Sequence, residues 1–159
     1  MYNLPHELLD ALKVMPDILQ GLLSKVSEKE AKSAKGGDEN WSVIEVVCHL
    51  RDAEEYTIQR VEAMRDQDNP QIIGYDQDAL AIEHKYGEAD LQSAFKEFLN
   101  LRKKLVGTLL ALSSGDWDRG GEHNENGRIT IFSYILHIVS HDAIHCAQIA
   151  RQLAEINKS

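Results

Sequence analysis

The sequence predicts an all-α fold, a four-helix bundle with long connections and one or two extra short helices. Three observations lead to this fold class. Apolar residues recur at helical spacing in four long stretches. The two longest segments between them, residues 66–88 and 113–128, are polar and contain glycine or proline, as loops do. No stretch has the pattern of a strand, and the length suits one domain over residues 1–159.

The first part of the chain predicts a short helix followed by a bundle helix. Residues 4–15 carry leucines on one side of a helix. Pro16 lacks the backbone N–H that would continue this helix, so we expect the helix to end there. Pro16 instead suits the first turn of the next helix, which an apolar stripe predicts over residues 17–30.

Capping residues mark the starts of the other bundle helices. Ser42, with Glu45 three residues later, forms a capping box for the second helix. Asp90 and Thr130 are suitable N-caps for the third and fourth helices. On the third helix, Arg102 is expected on the solvated side. The predicted bounds are 42–65 for the second helix, 77–84 for a short helix, 90–112 for the third helix and 131–153 for the fourth.

Composition excludes several classes of protein. The net charge of −9 would be repelled by nucleic acid and by anionic membranes, so we expect a small-molecule substrate and neither of those partners. No stretch approaches the ~20 apolar residues of a membrane span, and residues 1–16 lack the pattern of a signal peptide. Two cysteines, Cys48 and Cys146, are too few for a disulfide framework. We therefore expect a cytoplasmic protein with both cysteines in its core.

The fourth predicted helix carries three histidines at a spacing that suits a metal site. His137, His141 and His145 are four residues apart, so adjacent members lie one turn apart on the same face. His137 and His145 are roughly 12 Å apart along the axis, too far to share one ion. On the helical wheel His145 and then His141 lie nearest the apolar arc, whereas His137 lies toward the polar side with Gln148. We favour His141 and His145 as the ligands.

The second predicted helix offers a third ligand. His49 falls on the strip of this helix that faces the core. Together with His141 and His145 it would supply three nitrogens and leave a fourth position open, as in catalytic zinc sites. The alternative is that the three histidines are packed or hydrogen-bonded in the interior, which is the commoner situation for a single histidine.

Four residues of the second helix are candidates for contacts around this site. Glu45 and Asp52 are candidates to accept an N–H from a metal-bound histidine, and a solvated position is the alternative for both. Tyr56 and Arg60 follow His49 on the same strip and are candidates to contact a substrate anion. Alternatively, Arg60 pairs with a nearby acid.

Two further histidines are candidates for contacts around the site, His123 at its rim and His137 with a substrate or a metal-bound residue. His123 lies in the glycine-rich loop before the fourth helix, where an exposed position is equally consistent with the sequence, and His137 is the histidine left over from the triplet. The chain contains no GxSxG elbow, phosphate-binding loop, dinucleotide signature or HExxH motif. The sequence therefore assigns no catalytic nucleophile and disfavours protease chemistry.

Two segments resemble the DinB-like superfamily of the DinB and YfiT type. They are NWSVIEVVCHLRDAEEYTIQR and WDRGGEHNENGRITIFSYILHIVSHDAIHCAQI, in which Trp-x7-His-Leu is followed about ninety residues later by His-Asp-x2-His-x2-Gln-Ile. The resemblance extends over residues 12–153. It implies a four-helix bundle with a metal triad of one histidine from the second helix and two from the fourth. These map onto His49, His141 and His145, with zinc or nickel as the expected ion.

The resemblance also implies a chemistry. Members of this superfamily include S-transferases that use low-molecular-weight thiols such as bacillithiol or mycothiol, and a thiol-dependent isomerase. We therefore expect a metal-dependent enzyme, a thiol-dependent S-transferase acting on a small electrophile or else a hydrolase. The frequent dimerisation of the family implies a homodimer. The alternative is a non-enzymatic, stress-related binding module with a structural or vestigial metal site.

Overall fold

Four long helices form the bundle in the computed structural model, which describes residues 3–37 and 40–156. These helices are α1 (Leu4–Leu23), α3 (Val43–Asp66), α5 (Leu91–Leu110) and α6 (Ile131–Ile156). Two short helices, α2 (Glu28–Ser33) and α4 (Gln77–Glu83), lie in the connections. The predicted fold class is confirmed. Within the described ranges, no helix is long and apolar enough to cross a membrane.

The consecutive long helices α3 and α5 run parallel to each other. Arg51 of α3 pairs with Glu97 of α5, and three residues further along α3 the carboxylate of Glu54 accepts from Arg102. Contacts thus advance along both helices in the same direction. A parallel pair cannot be joined by a tight turn, so the segment between them must return along the length of the bundle. This crossover carries α4 and borders the candidate site.

Helices α3 and α6 run antiparallel and face each other across the interior. His49, near the start of α3, lies against His141, midway along α6. Arg60, further along α3, donates to the hydroxyl of Tyr134 near the start of α6. As the chain advances along α3, its partners therefore move back along α6. This pairing brings the histidines of the two helices together.

Helix α1 continues through Pro16, so the predicted helix end before that residue is wrong. The helix extends to Leu23 and buries a stripe of apolar side chains on one face. An internal proline costs a helix ~3 kcal/mol, and the continuous buried stripe offsets that cost. The helix predicted over residues 17–30 is instead divided between the end of α1 and α2. The buried residues of α1 are Leu8, Leu9, Leu12, Met15, Leu19 and Leu23.

Short strands, which the sequence did not predict, connect the helices. The strands β1 (Lys35–Gly36) and β2 (Trp41–Ser42) pair antiparallel, while β3 (Gln71–Ile72) lies parallel to β4 (Gly120–His123), which pairs antiparallel with β5 (Gly127–Thr130). Strands of two to four residues are too short for an alternating pattern to be recognised. A Cβ on Gly121 would lie 2.5 Å from the carbonyl oxygen of Pro70, so the glycine-rich stretch permits the close approach of two backbones.

Arg102 lies in the core, so its predicted position on the solvated side is wrong. Its side chain is almost fully buried, with 2% of the residue exposed. Nε and Nη2 donate to the carboxylate of Glu54, Nη2 also donates to Asp142 at 2.8 Å, and Nη1 donates to the carbonyl of Leu12 at 3.1 Å. These partners come from α3, α6 and α1. One guanidinium on α5 therefore links all four long helices.

Candidate metal centre

Three histidines from two helices meet in the interior of the bundle. His49 comes from α3, and His141 and His145 come from α6. One candidate ligand atom from each lies within 4.8 Å of the other two, and the Nε2 atoms of His49 and His141 are 2.9 Å apart. The ring centroids are separated by 4.4 to 5.0 Å. The structure thus brings together the trio selected from the sequence, and binding of a metal by this trio remains a prediction.

The spacing of these nitrogens fits an ion of the zinc type. Zinc–nitrogen bonds of about 2.0–2.1 Å in a tetrahedral site place neighbouring nitrogens about 3.3 Å apart. The 2.9 Å between His49 and His141 and the 4.8 Å limit for the trio lie on either side of that value. The observed separations therefore bracket the nitrogen–nitrogen separation of a tetrahedral zinc site. Three protein ligands leave a fourth position for a water molecule or substrate.

Burial keeps two of the imidazoles neutral at physiological pH. Loss of solvent lowers the pKa of His49 to about 3, and the neighbouring His145 lowers this pKa further against the opposing effect of Asp52. Burial is the largest cause that lowers the pKa of His141 to about 2, and the neighbouring His145 and His49 rings contribute smaller effects in the same direction. Neutral rings keep the nitrogen lone pairs that metal binding requires.

The start of α3 positions His49. Ser42 caps the helix as predicted, since its hydroxyl accepts from the N–H of Glu45 and its own N–H donates to the Glu45 carboxylate at 2.6 Å. The carboxylate of Glu45 is thereby engaged in the helix cap. The buried ring of Trp41 packs against the His49 ring at 5.0 Å between centroids. The cap and the indole together limit the movement of the imidazole.

Gln148, one turn beyond His145, determines which nitrogen of His145 faces the cluster. Its Nε2 donates to the carbonyl of Gly36 at 3.2 Å, and its Oε1 lies 2.8 Å from Nδ1 of His145. Because the amide oxygen accepts, Nδ1 carries the hydrogen and Nε2 of the neutral ring carries the lone pair. The helical wheel placed Gln148 on the polar side, but β1 covers this face of α6 and the residue is 6% exposed.

Replacing Gln148 with leucine is expected to weaken zinc binding by about 10- to 100-fold, since His145 loses the acceptor that orients its ring. Competition with a chromophoric chelator would measure the affinity. Gln59→Leu, at an exposed position of α3, is the matched control and should retain the wild-type affinity. Equal affinities of the wild type and Gln148→Leu would contradict the orienting role.

Asp52 takes part in a hydrogen-bond network that joins α3 to the crossover. Its Oδ1 accepts from Arg51 Nε, and its Oδ2 accepts from the Tyr86 hydroxyl and lies against Nδ1 of His84, each at 2.7 Å. Burial alone would raise the pKa of Asp52, but the bonds from these partners outweigh burial and lower the pKa. The network fastens the end of the crossover to α3.

A cavity of about 550 Å³ opens beside the histidine cluster. Its walls include His49 and His141, so a ligand inside can reach the candidate metal position. The volume is that of a typical small-molecule site. Other wall residues come from α3, the crossover, β4 and α6, namely Arg60, Tyr75, His123, Tyr134 and His137.

His123 and His137 both line this cavity. His123 is buried, and its Nδ1 accepts from the N–H of Glu125 at 3.1 Å, so Nε2 carries the hydrogen in the neutral ring. His137 is exposed, with its ring 6.0 Å from that of His141. Neither belongs to the group of three whose ligand atoms converge. They are therefore placed to contact a ligand in the cavity.

Tyr56 and the two cysteines lie outside the cluster. Tyr56 stacks on Tyr75 at 4.2 Å between ring centroids and thereby supports the cavity wall. Cys48 and Cys146 are free and buried, as predicted. Burial raises the pKa of each thiol to about 11, so both remain protonated and act as small core residues.

Comparison with known proteins identifies related chains. A family model described as the DinB superfamily matches residues 11–149. A protein of Oceanobacillus iheyensis, provisionally assigned as a metal-dependent hydrolase, is 21% identical over 145 residues, which cover 91% of this chain and 82% of that protein. The match thus extends over nearly the whole chain.

Two solved structures share the fold. YfiT from Bacillus subtilis, described as a probable metal-dependent hydrolase with an unusual four-helix bundle topology, matches with a TM-score of 0.88 at 21% identity and covers 96% of this chain and 87% of its own. A mycothiol-dependent maleylpyruvate isomerase matches with a TM-score of 0.77 at 9% identity, covering 94% of this chain and 63% of the isomerase. At sequence identities of 21% and 9%, the structural similarity establishes only that this chain shares the four-helix-bundle fold.

Proposed function

The chain belongs to the DinB superfamily, and from that membership and the geometry of the histidine cluster we propose that it is a metal-dependent enzyme acting on a small molecule. His49, His141 and His145 would hold one divalent ion, zinc or nickel, both of which accept imidazole ligands. The observation that carries the proposal is the convergence of three histidines on one wall of a cavity of about 550 Å³.

The proposed reaction transfers the sulfur of a low-molecular-weight thiol to the carbon of a small electrophile: the thiol loses its proton, an S–C bond forms, and the leaving group of the electrophile departs with the electron pair of its bond to carbon. A divalent ion supplies Lewis acidity, which lowers the pKa of a bound thiol or water molecule. The thiol dependence of the structurally similar isomerase supports a thiol, while the assignment of two related proteins as hydrolases supports water as the competing nucleophile.

The chain's own residues would provide binding and orientation. Gln148 donates to the carbonyl of Gly36 and accepts from Nδ1 of His145, which holds His145 in one tautomer, and the indole of Trp41 limits movement of His49. His123 offers its Nε2–H to a substrate in the cavity. The bundle encloses the buried faces of the cluster, so substrate reaches it from the cavity.

Substitution of cobalt(II) for zinc tests the proposal. Addition of 2-mercaptoethanol to the cobalt-loaded wild type is expected to produce an intense sulfur-to-cobalt charge-transfer band, which His145→Ala should lack. With a fluorogenic bimane electrophile, thiol conjugation should proceed faster with metal-loaded protein than with chelated protein. Absence of the band in the wild type, together with equal conjugation rates before and after chelation, would exclude a thiol-dependent transferase.

A further inference from the structure

Arg60 places an unneutralised positive charge on the wall of the cavity that contains the histidines. Its Nη1 donates to the hydroxyl of Tyr134 at 2.8 Å, and its Nη2 donates to the carbonyl of Ile73 at 2.7 Å. Both acceptors are uncharged. Among the described residues the arginines with carboxylate partners within 4.0 Å are Arg51, Arg65, Arg102 and Arg119. The positive charge of Arg60 is therefore available to pair with an anionic ligand in the cavity.

Three tyrosine rings surround the guanidinium without neutralising it. The Cζ atom of Arg60 lies 5.3 Å from the ring centroid of Tyr75, 5.4 Å from that of Tyr134 and 6.0 Å from that of Tyr56. Such cation–π contacts, with the two hydrogen bonds, restrict the side chain. A guanidinium has five N–H donors, and two are engaged here. The others remain for a planar oxyanion, which arginine binds with two parallel hydrogen bonds.

The position of Arg60 relative to the histidines sets the size of the ligand. Arg60 follows His49 by eleven residues on α3, which corresponds to three turns and about 16 Å along the axis. Helical side chains tilt toward the N-terminus, so Arg60 leans back toward His49. Along α6, the rings of Tyr134, His137 and His141 follow one another at 6.2 and 6.0 Å. One small molecule can therefore extend from the arginine to the histidine cluster.

The charges in the cavity favour a carboxylate over a phosphate. A single guanidinium matches the single charge of a carboxylate, whereas a doubly charged phosphate would usually need further donors. Glu125 also lines the cavity, but it is exposed and is not within salt-bridge distance of Arg60. The carboxylate of this residue would repel a doubly charged ligand more strongly than a singly charged one.

We infer that Arg60 is a specificity-determining residue that binds the carboxylate of a small substrate or thiol at the end of the cavity remote from the histidine cluster. The inference rests on the proposed function for the role of the histidine end. It assigns the substrate class as small molecules that carry a carboxylate at one end and the reacting group at the other.

Phenylacetate and phenylacetamide test this inference because they have the same shape and differ in charge. Calorimetric titration into the zinc-loaded wild type is expected to show about ten- to hundredfold tighter binding of phenylacetate, the effect of charge-assisted hydrogen bonds. In Arg60→Gln the two ligands should bind with equal affinity, and the affinity for phenylacetamide should be the same as in the wild type. Arg60→Lys should retain part of the preference as a point charge. Arg128→Gln, at an exposed arginine outside the cavity, is the matched control and should keep the full preference.

Each outcome of these titrations bears on the inference. A wild type that does not prefer phenylacetate, or an equal preference in Arg60→Gln, would overturn it. The titrations are repeated after zinc has been removed by chelation. A preference that is lost on removal of zinc but is retained in Arg60→Gln would show that the carboxylate binds the metal, and it would also overturn the inference. An Arg60-dependent preference in a protein that shows no cobalt–thiol band would support the anion site and reject the proposed thiol transfer.

Discussion

Replacing Arg102 with methionine is expected to lower the free energy of unfolding by about 3–5 kcal/mol, the usual cost of breaking a buried ion pair. The guanidinium is the shared hydrogen-bond donor of Glu54 and Asp142, and its loss leaves both buried carboxyl groups without this partner. The carbonyl of Leu12 also loses its donor. Urea denaturation followed by circular dichroism would measure the change.

Two further variants isolate the cause of this destabilisation. Lys103→Met changes the exposed neighbour on α5 and should alter stability by no more than about 0.5 kcal/mol. A triple variant, Arg102→Met with Glu54→Leu and Asp142→Leu, removes all three charges and should recover much of the loss, because no unpaired ion remains. Equal stabilities of Arg102→Met and Lys103→Met would contradict the role assigned to the buried arginine.

Replacing His145 with alanine is expected to reduce zinc affinity by more than about a hundredfold, since losing a ligand should exceed the effect of losing one of its supporting hydrogen bonds. The wild type should bind one equivalent of zinc. Calorimetry in the presence of a competing chelator would measure both values. His137→Ala is the matched control, because this ring lines the same cavity but lies outside the converging trio, and it should retain the affinity.

The response of the fold to metal removal separates a catalytic from a structural ion. Two apolar clusters, one that includes Ile44 and Phe98 and another that includes Leu105 and Ile135, account for the core without a metal. We therefore expect the chelated protein to remain folded, as for an open catalytic site. Unfolding on chelation would favour the alternative of a structural metal, and equal zinc binding by His145→Ala and His137→Ala would contradict the ligand assignment.

The three converging histidines could be selected from the sequence because the choice depends on local periodicity. Residues four apart on a helix share a face, so His141 and His145 could be paired without knowledge of the fold. The capping box at Ser42 defined the start of α3 and hence the face on which His49 lies. The orientation of His145 depends on a different kind of information, because Gln148 contacts Gly36, 112 residues away in the chain.

Other features depended on partners that periodicity does not reveal. Arg102 is buried because carboxylates from two other helices meet it, and a helical wheel alone assigns such a residue to solvent. Tyr75 lies in the crossover, where no repeating pattern indicates that it lines the cavity. Pro16 continues a helix because tertiary burial of α1 outweighs a local preference.

X-ray absorption at the zinc edge of the metal-loaded protein tests the three-histidine site most directly. We predict three imidazole nitrogens and one additional light atom at about 2.0–2.1 Å, with a sulfur neighbour at about 2.3 Å appearing after a thiol is added. His145→Ala should show one imidazole fewer. Fewer than three imidazoles in the wild type, or a sulfur neighbour before any thiol is added, would contradict the assignment of His49, His141 and His145 as the ligands.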